Sequence, residues 1–414
     1  MILRSETIDV CRAIQRFNAG RDALRLQMKY ALMRESAYTF FRGTCHLFYD
    51  RLPEEHFIAH SPLVWCCGDL HLENFGSYKG DNRLAYFDIN DFDESGRAPL
   101  AWDVVRLLSS LFIAAPALEI DDADAQILAT QLVNSYAQTL ASGKARWVEA
   151  ESATGMIKHL LDEVKTRQRV DLLDSRTVKK KKQRLLKVDG KKALPADDAE
   201  RAMVMDFMQN FARTQLDKAF FEPVDIARRV AGTGSLGLER YLVLVEGKGG
   251  ADGHYLLDLK HAVPASMHNN FARFKLQAAT WHSDAERIVQ LQQRLQGVPM
   301  AFLQAVRMNG KDFVLRALQA SEDRIRLAPL SHSLPDLKNL MQALGMLSAS
   351  AHLRASGRGG AAIADELVEF GQQEAWRLET IALARHCAEE AHNDWQSYCV
   401  GFDAGDFTIN TQPS

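Results

Sequence analysis

Asp69 and Asn74 stand in the string GDLHLENF, a carboxylate and a carboxamide in D-x-x-x-x-N spacing. That spacing suits phosphoryl transfer, which needs a carboxylate near an acceptor hydroxyl and oxygen ligands for Mg²⁺. In kinase-like loops the Asp does the first job and the Asn helps with the second. The spacing alone is common and gains weight from the residues after it. A strand, a turn and a second strand lead into Asp88, Asp91, Asp93 and Glu94. Clustered carboxylates repel unless a cation compensates them; the plainer reading is an acidic turn capping the helix that starts near Pro99. Two acids compete as principal metal ligand. Hairpin length favours Asp88. The string Asp91-Phe92-Asp93 favours Asp91, which also shares a strand face with Phe87 and Ile89.

A second constellation lies far downstream. Gly232, Gly234, Ser235 and Gly237 belong to GTGSLG, set between two strand patterns. Glycines let a backbone approach phosphates closely, and the exposed N–H groups bind anions. The loop does not open a helix, which disfavours a dinucleotide site. A Gly-rich loop joining two strands, with a lysine on the next strand, is the kinase form. Lys260 in YLLDLKHA is that lysine, in a segment apolar enough to demand a partner for its charge. ATP phosphates and a helix carboxylate would serve, with Glu286 in SDAERIVQ the expected carboxylate. The plainer readings are a Gly-rich hairpin with an edge-strand lysine, and a surface glutamate.

The elements that must position these residues follow from periodicity. Residues 1–60 read mostly as helix, with apolar positions at Leu24, Met28, Ala31 and Leu32. Strand patterns begin at Pro62 and give way to helix from Pro99 to Leu140, then to about Arg169. Residues 176–192 are basic and poor in apolar side chains, which predicts a solvated loop or helix face, or a mobile segment meeting an anion. Strands return from about Val224, and Asn309-Gly310 marks a hairpin turn. The rest is helical, and no internal repeat is visible. The expected division is a helical catalytic part over 1–220, a β-rich nucleotide part over 221–330 and completing helices over 331–414.

Composition narrows the classes. The 414 residues are 47% apolar, enough for a large core. A net charge of −3 argues against general nucleic-acid or anionic-membrane binding. No run approaches the roughly 18 apolar residues of a membrane span, and the N-terminus lacks a signal-peptide core. Cys11, Cys45, Cys66, Cys67, Cys387 and Cys399 form no C-x-x-C pair, so neither zinc nor a disulfide framework is expected. These features predict a cytoplasmic protein.

The order of the two constellations is reversed relative to ordinary kinases, with Asp69 long before Gly232. The residues before Asp69 are too few and too helical for a nucleotide lobe. The helix ending in SASAHLRAS would lead into the catalytic loop in space, yet the chain continues into further helices. A circular permutation accounts for all three facts.

The strings MRESAYTFFRG, CGDLHLENFG, FDINDFDE, WDVVRL, GTGSLG, FVLRAL and SAHLRASG, with the Lys260 strand, resemble the bacterial domain-of-unknown-function family 2252 over most of the chain. That family resembles aminoglycoside and choline kinases. The resemblance implies an α+β, protein-kinase-like two-lobe fold, circularly permuted, with a small antiparallel nucleotide lobe and a large helical lobe. It also implies Asp69 as catalytic Asp, Asn74 and Asp91 as metal ligands and Lys260 as phosphate lysine. Asp103 would support the loop, while Arg42 and His352 read as buried structural partners. One departure is Gln290, where the family often carries an acid. The expectation is an ATP- and Mg²⁺-dependent phosphotransferase on a small-molecule or protein hydroxyl. AMP transfer and a catalytically silent ATP-binding switch or scaffold are the alternatives. The acceptor and the oligomeric state are not readable from sequence.

Overall fold

The computed structural model describes residues 8–54, 57–180, 183–319, 324 and 333–409. Four helices come first: α1 (Val10–Phe17), α2 (Ala23–Glu35), α3 (Ala37–Gly43) and α4 (Cys45–Arg51). The side chains of Asp9, Asp22 and Ser36 accept N–H groups of the first turns of α1, α2 and α3, which is why helices start there.

Four strands follow: β1 (Leu63–Cys66), β2 (Phe75–Lys79), β3 (Ala85–Ile89) and β4 (Gly96–Pro99). β1 pairs antiparallel with β4, Cys66 opposite Gly96, so the chain leaves and re-enters at one place. The excursion between them contains the β2–β3 hairpin, Phe75 opposite Ile89. α5 (Ala101–Ala114) comes next and is buried on nearly every side, as its apolar sequence requires. α6 (Asp122–Ser142), β5 (Val148–Glu149), α7 (Gly155–Thr166) and α8 (Arg169–Arg176) complete this half.

The basic stretch 176–192 departs from the expected loop or helix face. β6 (Thr177–Lys180) and β7 (Gln183–Leu186) form an antiparallel hairpin there. Arg184 is fully buried, donating to Asp174 and Asp252 at 2.6 Å each and to the Ala251 carbonyl at 2.7 Å. Period-two alternation sends Arg184 and Leu186 inward, and paired carboxylates make the buried cation tolerable.

β8 (Ala193–Leu194), α9 (Asp198–Thr214), β9 (Pro223–Arg229), β10 (Arg240–Val245), β11 (Tyr255–His261), α10 (Asp284–Leu295), β12 (Gln304–Met308) and β13 (Lys311–Ala317) follow. The sheet has six antiparallel strands in the order β12-β13-β11-β10-β9-β8. It therefore takes in β8, upstream of residue 221. One face, with Tyr241, Val243, Leu257 and Leu259, packs on Val204 and Met208 of α9. The opposite face carries Leu242, Leu244 and Leu256 against Leu173 and Leu186, then continues to Asp258 and Lys260.

α11 (Leu334–Arg354), α12 (Ala364–Gln372) and α13 (Ala375–Ala404) close the chain. α11 crosses α6 at Gly345, where a Cβ would lie 2.3 Å from the Leu132 carbonyl oxygen; only glycine permits that approach. After α11 the chain returns along β1, the Ala362 N–H donating to Leu63 O at 2.7 Å and Trp65 Nε1 to Arg358 O at 2.8 Å. All six cysteines are free thiols. No described helix is long and apolar enough to cross a membrane.

Candidate functional site

The loop carrying Asp69 and Asn74 begins where β1 ends. Gly68 has φ +89°, and a Cβ there would sit 1.9 Å from the Glu94 carbonyl oxygen. The backbone of the first acidic string thus touches that of the second, which a side chain would forbid. Gly68→Ala is expected to cost about 2–4 kcal/mol, from left-handed strain and this overlap, readable as a lowered midpoint in denaturant unfolding.

Asp103, in the first turn of α5, holds the start of the loop by accepting the N–H groups of Cys67 (2.7 Å) and Gly68 (2.9 Å). His352 Nε2 lies 3.2 Å from Asp103 Oδ2, and its Nδ1 lies 2.8 Å from the Tyr136 hydroxyl. The end of α11 is in this way tied to the beginning of the loop. Cys66, Asp103 and His352 are the cluster of three ligand-type side chains close enough to share a metal among the described residues. Both Asp103 oxygens and both His352 nitrogens are already engaged, so the cluster is structural. His352 is the buried partner the sequence suggested.

Leu70 and Phe75 are buried and pin the loop. Asp69 lines a cavity and pairs through Oδ1 with Arg106 Nε at 2.7 Å. Arg106 is fully buried, its guanidinium 4.1 Å from the Phe41 ring centre and 5.0 Å from that of Phe48, and it donates to Phe41 O. It is a rigid positioner for Asp69. Asn74 is 2% exposed. Its Nδ2 donates to the carbonyls of Asp69 (3.0 Å) and Asp91 (3.2 Å), fixing the amide between the two acidic strings. Its Oδ1 is buried without a hydrogen-bond partner among the described residues. A buried amide oxygen is costly unless something binds it.

Asp91 and Asp93 also line this cavity, while Phe92 between them is buried in the core. Lys260 contacts Asp93 directly and stands 4.0 Å from Asp91 Oδ2. Burial works to raise the Asp91 pKa, but Lys260 first, then Arg316, Arg240 and Arg324, hold the carboxyl below its ordinary range. Burial and the neighbouring Asp91 push Asp93 up. The pair holds one acid ionised towards the cavity and one committed to Lys260.

The Gly232–Gly237 turn joins β9 to β10 and bends over the same cavity, which Gly232, Gly234 and Ser235 line. Arg21 Nη1 donates to Gly234 O (2.8 Å) and Leu236 O (3.1 Å), and the buried Lys29 Nζ donates to Gly234 O at 3.1 Å. A Cβ on Gly234 would sit 3.3 Å from Arg42 O, so the turn rests close on the end of α3. Arg42 pairs with Glu73 and lines the cavity. Gly237 lies instead on an adjoining cavity of about 1000 Å³ that shares Phe17, Arg21, Leu238 and Val263 with the first. The first holds about 70 Å³, room for an ion and water but not for a nucleoside triphosphate.

Besides Gly237, two expected site residues, Asp88 and Glu286, lie outside this cavity. Asp88 is buried outside this cavity; Oδ2 accepts from Arg354 Nη2 (3.1 Å) and the Gly297 N–H (3.0 Å), and Oδ1 from the Ile89 N–H. With its oxygens engaged it is a structural ion-pair member, and Asp91 is the acid the cavity exposes. Glu286 caps its own helix, accepting from the His282 N–H (2.9 Å) and Gln290 Nε2 (2.8 Å). The carboxylate beside Lys260 is Asp93, because α10 presents Arg287 rather than an acid to this loop. Arg287 is buried and donates to the carbonyls of Asp93, Ser95 and Val263.

Sequence reasoning passed over Arg106, Arg287 and Asp93 as the lysine's partner. Arg106 was accessible in principle, lying one helical turn after Asp103 in an otherwise apolar helix. Nothing in the sequence marked Arg287 apart from other surface-type arginines.

No curated protein and no solved structure matches the chain. Residues 21–400 match the family described as "Uncharacterized protein conserved in bacteria (DUF2252)". That span takes in every residue of the cavity just described except Phe17, and the chain belongs to the DUF2252 family.

Proposed function

We propose that this chain is an ATP- and Mg²⁺-dependent phosphotransferase of kinase-like, circularly permuted fold, acting on a hydroxyl acceptor. The observation that carries the reading is the unpartnered Asn74 Oδ1 beside the ionised Asp91, in a cavity that Asp69 and the Gly-rich turn also line. Hard oxygen donors of this kind suit Mg²⁺. Asn74 and Asp91 would hold the ion, whose chemistry is to neutralise phosphate charge. Asp69, held by Arg106, orients the acceptor hydroxyl. Backbone N–H groups of the Gly232–Gly237 turn and Lys260 bind phosphate oxygens.

The arrangement around the site supports the layout. A hairpin with a Gly-rich turn, a lysine on the following strand and then a helix is the order of a kinase nucleotide lobe. The contact of His352 with Asp103 and the run of residues 358–362 along β1 join the end of α11 to the start of the Asp69 loop. A permuted chain would be cut at that join. The small cavity means that nucleotide entry requires the Gly-rich turn to lift from α3, breaking the Arg21 and Lys29 bonds to Gly234.

The test is calorimetric titration of ATP with and without Mg²⁺, then ³¹P NMR of ATP with a small-metabolite extract and mass analysis of products. The expected result is Mg²⁺-dependent binding, ADP formation and a phosphate mass gain, with Asp69→Asn lowering turnover by at least about a hundredfold. AMP on the acceptor moves the reaction to nucleotidyl transfer. Binding without turnover, and without effect of Asp69→Asn, leaves a silent ATP-binding switch. Absence of Mg²⁺-dependent binding by the folded chain ends the proposal.

A further inference from the structure

The loop between α1 and α2 lies across the Gly-rich turn and is bonded to it from end to end. Asp22 pairs with Arg228 on β9, before the turn, and its N–H donates to Gly237 O at 2.9 Å, at the turn's far end. Between these points Arg21 Nη1 holds the carbonyls of Gly234 and Leu236, and Lys29 Nζ shares that of Gly234. A Cβ on Gly237, whose φ is +90°, would lie 2.8 Å from Arg21 Cβ, so nothing fits between loop and turn.

The loop is firmly held on its helical side. Asp22 Oδ1 accepts from the N–H (2.9 Å) and Nε (3.1 Å) of Arg25. Lys29 Nζ donates to Asn18 Oδ1 at 2.8 Å and Asn18 Nδ2 to Ile14 O at 2.8 Å, and both side chains are fully buried. Ile14, Leu26 and Tyr30 share a core with Tyr398 of α13. The bond to the turn is the weaker end. Arg21 and Lys29 crowd two cations onto one neutral carbonyl. Burial first, and then Arg21, push the Lys29 pKa well below its ordinary value, with Glu94 and Asp69 offsetting part of this. The cavity beneath the turn holds only about 70 Å³, whereas the cavity of about 1000 Å³ runs along the outside of the loop, from Ala19 to Asp22 and Gly237. The loop can therefore be reached without entering the site.

We propose that the α1–α2 loop is an autoinhibitory latch: with Arg21, Asp22 and Lys29 bonded, the Gly-rich turn stays down on α3 and closes the site to MgATP, and release of the loop opens it. The inference rests on the phosphotransferase reading and adds its regulation. Apparent affinity is the intrinsic affinity reduced to the fraction of molecules whose turn is lifted. Weakening the latch therefore tightens MgATP binding, whereas loosening a contact that only shapes the bound site would weaken it.

The variants are Arg21→Met and Lys29→Met, singly and together, which keep an unbranched side chain and remove the donors. Apolar replacement of a buried ionic group is often neutral for stability. MgATP is titrated into the full chain by calorimetry, and amide hydrogen exchange is followed over 18–29 and 232–238. In the double variant, exchange at 232–238 without nucleotide is expected to speed by about tenfold or more, and MgATP to bind about tenfold or more tightly than to the parent. In the parent, MgATP is expected to speed exchange at 18–22, as the Asp22 N–H leaves Gly237. If the double variant unfolds, Arg21→Met on the half-buried loop carries the test together with the parent's exchange. Parent and folded variants that bind MgATP equally well, or variants that bind it more weakly, overturn the latch and leave the phosphotransferase reading standing. No MgATP binding to either, with exchange at 232–238 accelerated, overturns both. Unchanged exchange at 232–238 in the variants, or at 18–22 in the MgATP-bound parent, overturns the latch alone.

Discussion

Asp91→Asn is expected to lower Mg²⁺-dependent ATP affinity by at least about tenfold and turnover by about a thousandfold, the latter equal to about 4 kcal/mol of transition-state stabilisation. Among Asp88, Asp91 and Asp93, Asp91 is the carboxylate left to the cavity, since Asp93 is taken by Lys260 and Asp88 by Arg354. Under the proposed function the substitution keeps shape and removes the charged ligand that would hold Mg²⁺, leaving Asn74 Oδ1 too weak to hold the ion alone. The variant is expected to fold. Asp93 remains to neutralise Lys260, and loss of the neighbouring negative charge relieves the repulsion that pushes Asp93 up. Calorimetry with and without Mg²⁺ separates the outcomes: equal Mg²⁺ dependence in both proteins removes Asp91 from the metal site.

Asp258→Asn is expected to destabilise the folded chain by about 3–5 kcal/mol, the cost of leaving buried cations without their counter-charge. Asp258 is 1% exposed on β11 and receives Arg240 through Nε (2.8 Å) and Nη2 (2.6 Å). Arg229 Nη1 adds a contact at 2.6 Å and Arg316 Nε one at 3.5 Å. Burial alone would raise its pKa; Arg229, Arg240 and Arg316 together hold it well below the ordinary carboxylate range. A depressed folded pKa contributes stability that is fully present above the unfolded aspartate value of about 3.9 and is lost as pH falls through the folded value. The wild-type chain should therefore keep this contribution through mildly acidic pH. Denaturant unfolding from pH 7 to pH 3 reads both effects: a lower midpoint at neutral pH for the variant, and a difference that begins to shrink near pH 3, where Asp258 takes up a proton in the unfolded parent but stays ionised in the folded one. Adding Arg229→Met should recover part of the loss. A midpoint unchanged at neutral pH would show that the three arginines are solvated enough to stand alone.

This cluster also bears on how a nucleotide could sit. Asp258 shares a sheet face with Lys260, and Arg316 is opposite Asp258 in the register with β13. The surface next to Lys260 is thus an ion-paired patch. The apolar part of the same face, at Leu242, Leu244 and Leu256, is covered by Leu173 and Leu186. A nucleobase stacking there would have to displace α8 and the β6–β7 hairpin.

Sequence alone determined the elements and the local chemistry. Helical periodicity marked the opening helices and α5, and Asn309-Gly310 marked the β12–β13 turn, because side-chain alternation and turn backbone geometry are properties of neighbouring residues. The spacing of Asp69 and Asn74 and the string Asp91-Phe92-Asp93 were likewise local. The basic run at 176–192 misled, since its charge masked a β alternation whose buried member, Arg184, finds Asp174 and Asp252 only on folding. Tertiary structure decided which acid faces the cavity. Asp88 lies in β3 and Asp91 two residues past its end, and Arg354 and Gly297, more than two hundred residues away, withdraw the first. It also decided the lysine's partner, because α10 brings Arg287 to the acidic loop while Glu286 turns back to cap its helix. Ion pairing between distant segments depends on where the chain places charges in space, and no local pattern of residues encodes that.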